Sequence, residues 1–382
     1  MDKNFRAEIE NFAKTLGFDL IGFSPAQLDK KYFNAYEKWL KEGNHANMSY
    51  MEKSAQRKNL TKILKKARTV IVLGVNYFHP QKNDNKNENF GIIARYAYGR
   101  DYHKIIGKKL KQLEDFIKKL FPNDFTKSYV DTGPILERAF AETCQIGHIG
   151  KNGCIITKTF GSWIFLSEII TTVDLCRNGN IEVEGKGRCT RATARCAFEP
   201  IKHRLKFADS YMLESANCTT CCERASSLYS TQNFSPCGTC TRCIDSCPTK
   251  AIIAPGIIDA RKCIAYHTIE NKNRIPAKIA NAIKKTKRIF GCDICQEVCP
   301  HNIAKQKITP HPEFLKPLAG DKISLKKLLA IKSDKEFLNL FAGSPLMRAK
   351  LKKLKSTANF LLSKIAAPDG KFGGQTKRQA QL

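Results

Sequence analysis

The strongest constraint in this chain is a run of four cysteines, Cys237-x-x-Cys240-x-x-Cys243-x-x-x-Cys247, which Pro248 follows. A cubane iron–sulfur cluster needs four thiolates that converge from a compact volume, and two-residue gaps wrap one loop around three of its irons. In two-cluster ferredoxins the fourth cysteine of such a run binds the other cluster. The run therefore predicts a second group of cysteines further along the chain.

That second group is present, and it ends in Cys299-Pro300. The crossover rule then divides eight thiolates into two sets of four. One set is Cys237, Cys240, Cys243 and Cys299, and the other is Cys247, Cys263, Cys292 and Cys295. A pair of zinc sites is the alternative, because C-x-x-C pairs also bind zinc. The C-x-x-C-x-x-C-x-x-x-C-P run favours two 4Fe–4S clusters, and hence electron transfer.

Chain length and the N-terminus define the class of protein. With 382 residues, 42% of them hydrophobic, the chain is long enough for two to three domains and too apolar for a disordered protein. Residues 5–17 have the apolar spacing of an amphipathic helix and not that of a signal peptide. The sequence has no apolar run long enough to span a membrane. We therefore expect a cytoplasmic protein, in which clustered cysteines serve as metal ligands or catalytic groups before they form disulfides.

The chain is strongly basic, with 65 Lys and Arg against 35 Asp and Glu and a formal net charge of +30. Residues 301–382 hold 17 Lys and Arg against 5 Asp and Glu, about twice the charge density of the whole chain. Such clustering favours a partner with a phosphate backbone. A lysine-rich coding bias would explain the charge without a partner, and charge alone does not distinguish nucleic acid from an anionic membrane.

The pattern along the chain predicts an α+β protein. Short β-rich runs at Leu20–Phe23, Thr69–Phe78 and Lys127–Asp131 alternate with helix-like segments such as Lys104–Leu120. The predicted regions are an N-terminal α/β domain (1–175), a Cys-containing insertion of unknown structure (176–236), a ferredoxin-like domain with both clusters (237–310), a short basic helical C-terminal region (311–366) and a disordered tail (367–382).

Other cysteines carry weaker signals. Cys144 and Cys154 lie in apolar surroundings and are expected to be buried structural thiols. Within the insertion, Cys218 and Cys221 form a single C-x-x-C pair that could hold an additional metal.

The order of several longer motifs is the most specific feature of the sequence. These motifs are ARYAYGRDYH (94–103), YVDTGPILERAFAE (129–142), IGKNGCII (149–156), GSWIFLSEIITT (161–172), CGTCTRCIDSCPTKAI (237–252), RCIAYHTIE (262–270) and GCDICQEVCPHN (291–302), with weaker similarity at 46–57 and 344–354. In this order they resemble the epoxyqueuosine reductases, a family of cobalamin-dependent iron–sulfur enzymes of tRNA modification.

The resemblance implies a function, cofactors and partners. It implies a corrinoid-binding N-terminal domain, two 4Fe–4S clusters, and reduction of the epoxide of epoxyqueuosine to the alkene of queuosine at the wobble position of tRNA. Its partners would be tRNA with epoxyqueuosine in the anticodon loop and an external electron donor, and we expect a monomer that does not bind membranes. The resemblance further implies that Asp131 is the proton donor and that cobalamin contacts Arg57, Ala94, Asp131, Asn152, Ile155 and Leu166.

Each of these residues also has an ordinary structural interpretation. A carboxyl group can protonate a poor leaving group if apolar surroundings raise its pKa, but Asp131 could instead cap a helix beginning at Ile135 or stabilise the Gly133-Pro134 turn. Arg57 could be an isolated surface arginine and Asn152 a turn residue. The remaining three cobalamin candidates are apolar and could be plain core.

The sequence departs from the family pattern in two places, and two other functions would use similar modules. The insertion replaces a short connection of the family, and KSTAN at 355–359 replaces the family's Arg-Asn, which leaves tRNA contacts there open. A cobalamin-dependent reductive dehalogenase shares the two modules but usually carries an export signal and lacks the V-D-T-G-P element. A non-catalytic iron–sulfur electron carrier would not need the 175 residues that precede the insertion.

Overall fold

The structure, a computed structural model, describes residues 4–81, 89–176 and 237–363, all within one compact unit. The predicted insertion beyond Cys176, with its Cys218–Cys221 pair, and the predicted tail lie outside the described residues. The described strands are β1 (Leu20–Pro25), β2 (Thr69–Asn76), β3 (Phe90–Ile93), β4 (Thr126–Tyr129), β5 (Gly147–Ile149), β6 (Ile155–Thr157), β7 (Ile164–Thr171), β8 (Ile252–Ala254), β9 (Ile257–Ile258), β10 (Arg288–Phe290) and β11 (Lys322–Ser324).

Short helices are numerous in this part of the chain. The α-helices are α1 (Phe5–Thr15), α2 (Lys30–Lys41), α3 (Ser54–Lys58), α4 (Tyr102–Leu120), α5 (Glu137–Thr143), α6 (Arg242–Asp245), α7 (Ile264–Ile269), α8 (Ala277–Thr286), α9 (Ile294–Glu297), α10 (Pro300–Ile303), α11 (Pro312–Leu315), α12 (Leu325–Ala330), α13 (Asp334–Phe341) and α14 (Lys350–Leu362). None of them combines the length and the apolar character that a bilayer crossing requires.

The larger sheet has the strand order β1-β2-β7-β4, and every pair in it is antiparallel. The expectation of an α/β N-terminal domain is therefore wrong in its strict sense, because α/β folds have mainly parallel sheets. The broader α+β prediction agrees with the mixed helices and strands. Sequence periodicity located β1, β2 and β4 but did not single out β7, and it carries no information on the relative direction of strands.

Strand β2 lies at the centre of two hydrophobic cores. Ile71 and Leu73 face a core formed with α1 and α4, while Val70 and Val72 face a second core that includes Phe140 of α5. Side chains alternate between the two faces of a strand, so a strand covered on both faces must be apolar at every position. The sandwiched position of β2 thus explains its continuous apolar sequence.

A smaller sheet joins three regions that the sequence had separated. Its order is β10-β3-β11, with β3 parallel to β10 and antiparallel to β11. These three strands come from the predicted N-terminal, ferredoxin-like and C-terminal regions. Phe290 and Ile323 enter one core with residues of α12 and α14, so the basic C-terminal helices pack onto the rest of the described chain.

Candidate functional site

The first predicted set of thiolates lines one cavity. Cys237, Cys240, Cys243 and Cys299 border a space of about 140 Å³ together with Lys151, Asn152, Ile156, Pro300 and His301. No three His, Cys, Asp or Glu side chains among the described residues are placed to hold a single metal ion. A cubane has a different requirement, since each of its four cysteine thiolates binds a different iron. The donor set therefore fits a 4Fe–4S cluster.

The second predicted set is a separate, partly buried group of thiols. Burial raises the pKa of Cys292 to about 12, and the nearby thiol of Cys263 adds to this increase. Burial likewise raises the pKa of Cys263, with a further contribution from Cys247. Although burial opposes it, hydrogen bonds from the backbone N–H groups of Ala251 and neighbouring residues lower the pKa of Cys247. Cys295 in turn interacts with Cys263 and Cys292, so Cys263 is near each of the other three thiols. This arrangement is compatible with a second cluster.

Two consecutive polar residues connect the two sets to the loop before β6. The Nζ atom of Lys151 donates to the carbonyl oxygens of Gly238 at 2.6 Å and Cys240 at 3.1 Å. The side chain of Asn152 donates to the carbonyl of Cys295 at 3.4 Å and accepts from the N–H of Cys154 at 3.1 Å. Residues outside the cysteine motifs therefore orient both cysteine loops.

Asp131 lies in a loop, two residues beyond the end of β4. Its backbone has a left-handed φ of +58°, which is strained for a residue other than glycine. A Cβ atom at Gly133 would approach Tyr129 to 2.6 Å, so this loop can fold back on β4 only with glycine there. Helix α5 begins at Glu137 and has no side-chain N-cap, so the interpretation of Asp131 as a helix cap is wrong.

The carboxylate of Asp131 is surrounded by groups that the sequence analysis did not assign. Tyr102 at the start of α4 donates its hydroxyl hydrogen to Asp131 Oδ2 at 2.5 Å. The same oxygen lies 3.8 Å from Nη1 of Arg348 and 3.9 Å from Nε2 of His103. Half of the Asp131 side chain remains exposed. The recorded neighbours of this carboxylate are thus polar or charged side chains.

The cationic side of this site is itself held in place. Arg348 donates to the ring of His103, and His103 contacts Asp101 at 2.7 Å through Nδ1. Burial opposes ionisation of Asp101, but hydrogen bonds from His103 outweigh it and lower the pKa of that carboxyl. Tyr102 and His103 belong to the YGRDYH motif, and Arg348 belongs to SPLMR. These motifs were the only sequence signal for the three residues, and nothing in either motif indicates contact with Asp131.

A pair of carboxyl groups lies near the loop that carries Asp131, since Glu168 pairs with Tyr129 at the end of β4. Glu168 is completely buried in the middle of β7, and Glu137 is the first residue of α5. Their side chains are within hydrogen-bonding reach of each other, and burial raises the pKa of Glu137 to about 8, with Asp131 contributing. Burial, followed by the charge of Glu137, raises the pKa of Glu168 well above its usual range.

The predicted cobalamin contacts lie in different settings. Arg57 is buried, and its Nη1 atom donates to the carbonyls of Tyr50 and Lys53, so the interpretation as a surface arginine is wrong. Ala94 and Ile155 are buried, and Leu166 is partly buried on β7. These positions are compatible with packing or backbone contact. The structure does not bring these three together with Arg57 by any direct contact that it records.

Two family models match separate parts of the chain, one in the N-terminal region and one around the cysteine motifs. The family model of the epoxyqueuosine reductase QueG domain DUF1730 matches residues 57–132, and that of a 4Fe-4S double cluster binding domain matches residues 236–302. The first range ends just after Asp131, and the second contains all eight predicted cysteine ligands.

Curated relatives and solved structures agree with these matches. The epoxyqueuosine reductase of Synechocystis is 38% identical over 70% of this chain and 73% of its own, and that of Gloeobacter violaceus is 35% identical over 79% and 77%. An epoxyqueuosine reductase crystallised with an epoxyqueuosine-modified tRNA-Tyr stem loop matches with a TM-score of 0.71 and 29% identity, over 94% of this chain and 80% of its own. The Bacillus subtilis enzyme with its catalytic loop swung out matches with a TM-score of 0.70 and 28% identity, over 94% and 81%. Cobalamin and two 4Fe–4S clusters are the cofactors of this family, and the present chain is a member of the epoxyqueuosine reductase family.

Proposed function

We propose that this enzyme reduces epoxyqueuosine to queuosine at the wobble position of tRNA and that Asp131 supplies a proton in that reaction. The observation that carries the proposal is the position of Asp131, whose half-exposed carboxylate meets Tyr102 and Arg348 in a chain that also carries eight cluster thiols. Overall, one epoxide, two electrons and two protons yield one alkene and one water.

The residues around Asp131 have separate roles in this proposal. Asp131 holds a proton on its carboxyl group and delivers it to the departing epoxide oxygen, which is a poor leaving group unless protonated. Tyr102 fixes the orientation of that carboxyl through its 2.5 Å hydrogen bond. Arg348, 3.8 Å away, stabilises the carboxylate that remains after proton transfer. Reduced cobalamin, when bound, supplies the electrons that cleave the carbon–oxygen bonds.

The cluster ligands and the domain limits are part of the same proposal. We assign one cluster to Cys237, Cys240, Cys243 and Cys299, and the other to Cys247, Cys263, Cys292 and Cys295. Residues 1–175 form the cobalamin-binding catalytic domain, with the contacts expected from the resemblance, residues 237–310 hold the clusters, and residues 311–366 add a basic surface for tRNA. An external donor provides electrons to a monomeric enzyme in the cytoplasm, where its tRNA substrate is found.

The test is anaerobic turnover of a synthetic anticodon stem loop that contains epoxyqueuosine. Protein reconstituted with iron, sulfide and cobalamin, and supplied with a chemical reductant, should convert it to queuosine, as measured by mass spectrometry of the nucleosides. A matched stem loop with unmodified guanosine is the control substrate. Absence of queuosine from a sample that contains both clusters and cobalamin would contradict the proposal.

A further inference from the structure

The proposed reaction requires more protons than Asp131 can hold, and the following inference rests on that function. Removal of the epoxide oxygen as water consumes two protons, whereas one carboxyl group carries one at a time. Half of the Asp131 side chain is exposed, and a substrate in contact with it would separate that half from solvent. Groups on the protein side of Asp131 would then supply the second proton.

On that side lie Glu137 and Glu168, whose carboxyl oxygens are incompletely hydrogen-bonded. Among the described residues, neither oxygen of Glu168 has a hydrogen-bond donor, and Oε1 of Glu137 also has none. Two ionised carboxylates cannot hydrogen-bond to each other, so the closeness of these side chains requires a proton between them. A buried carboxyl group without a hydrogen-bond partner lowers the stability of the folded protein, so a purely structural role would not explain this pair.

We propose that Glu137 and Glu168 hold one shared proton and pass it to Asp131 during turnover. Asp131 first gives its own proton to the epoxide oxygen as the first carbon–oxygen bond breaks. Its carboxylate then takes the proton of the pair, and Asp131 gives this second proton to the hydroxyl group, which leaves as water. The external donor supplies both electrons through the clusters, and solvent returns two protons after the product leaves.

The charged groups around the pair are consistent with a proton store. Asp131 disfavours the doubly ionised pair, while Arg138 on α5 acts weakly in the opposite direction. Burial raises the pKa of Cys144, just after α5, and the charge of Glu168 adds to this increase. At neutral pH the high pKa of both glutamates keeps the proton on the pair. Because both pKa values are raised, the pair loses its proton only in the alkaline range, so turnover should fall as the pH rises above neutral.

The experiment compares the pH dependence of turnover in wild type, Glu137→Gln and Glu168→Gln, each reconstituted and assayed on the modified stem loop. We expect about tenfold lower kcat in both variants with KM, iron and cobalamin content unchanged, and loss of the alkaline decline in turnover. Difference infrared spectra supply a readout that does not depend on activity. A protonated-carboxyl band that shifts in deuterated buffer should be present in wild type and absent from both variants.

Glu142→Gln is the matched control, because Glu142 lies on the same helix and accepts hydrogen bonds from Tyr32 and from the N–H of Ile149. It should retain the wild-type pH profile and infrared band. The proton store is refuted if both pair variants keep the alkaline decline, or if their activity falls only in proportion to lost cofactor. An inactive wild type would instead count against the proposed function, so the two failures are distinguishable.

Discussion

Seven of the eight cluster cysteines come from two short segments of the chain, of 11 and 8 residues. The groups around Asp131 come instead from five separate places: the start of α4, the loop after β4, the start of α5, the middle of β7 and the segment before α14. A cluster accepts any loop that presents thiolates at suitable spacing, so its ligands are encoded locally. An acid site requires a carboxyl in a particular environment, which only the tertiary structure supplies. More of the cluster site than of the acid site can therefore be predicted from the sequence.

The largest effect should follow from breaking the thiol sites. Cys299→Ser and Cys237→Ser should each remove the same cluster, lowering iron by about half and turnover to below detection, because electrons no longer reach the catalytic site. Cys154→Ser is the control, since this thiol lies near ligands of both sets without belonging to either. Iron analysis and electron paramagnetic resonance check the result. Loss of different clusters in the two variants would show that the crossover assignment is wrong.

The acid site should be separable from the clusters. Asp131→Asn preserves size and removes the titratable proton, so turnover should fall by about 10²–10⁴-fold while clusters and cobalamin remain bound. Asp124→Asn, in the loop that precedes β4, is the control and should be active. Cofactor content and turnover must be measured on the same sample. Near-normal turnover of the Asn variant would mean that the proton comes from water or another side chain.

The salt dependence of tRNA binding tests the prediction that rests on net charge alone. If the basic C-terminal region contacts about four phosphates, affinity for the modified stem loop should fall by roughly 10²-fold between 50 and 200 mM salt. Fluorescence anisotropy of a labelled stem loop measures this dependence. An affinity that is independent of salt would show that the charge of residues 301–363 faces solvent without touching tRNA.

A smaller effect should expose the tertiary contribution to the thiol sites. Lys151→Met removes the hydrogen bonds to the carbonyls of Gly238 and Cys240 but retains the length of the side chain. We expect about tenfold faster loss of iron to a chelator, as is usual for groups that orient metal ligands. Lys158→Met, on the turn after β6, is the control. Equal rates for the two variants would mean that the local spacing of cysteines suffices.

The smallest effect concerns stability. The raised pKa of Glu168 means that the folded protein binds more protons than the unfolded chain from about pH 4.5 upwards, so the contribution of Glu168 to stability declines as the pH rises. Glu168→Gln should therefore lose less Tm than wild type between pH 6 and pH 9, by a few degrees. Thermal denaturation of the two reconstituted proteins measures the difference. Parallel pH dependence would indicate that Glu168 is ionised in the folded state.

Prediction from sequence was accurate where spacing carries the information. Helix α4 was predicted at Lys104–Leu120 and spans Tyr102–Leu120, and strand β2 was predicted at Thr69–Phe78 and spans Thr69–Asn76. The direction of the strands, the partners of Asp131 and the burial of Arg57 depend on contacts between distant segments. Periodicity reports which face of an element is apolar but not what covers it, so these features were missed.

The sheet formed by β10, β3 and β11 also determines when the protein can be completed during synthesis. Its central strand β3 leaves the ribosome nearly two hundred residues before β10 and more than two hundred before β11. At about 5–20 residues per second, β3 waits roughly 10–40 s with both edges unpaired. Unpaired edges of this kind are where nascent chains associate wrongly. Truncations that stop before Lys322 should therefore aggregate during translation, even though they contain every cysteine and Asp131.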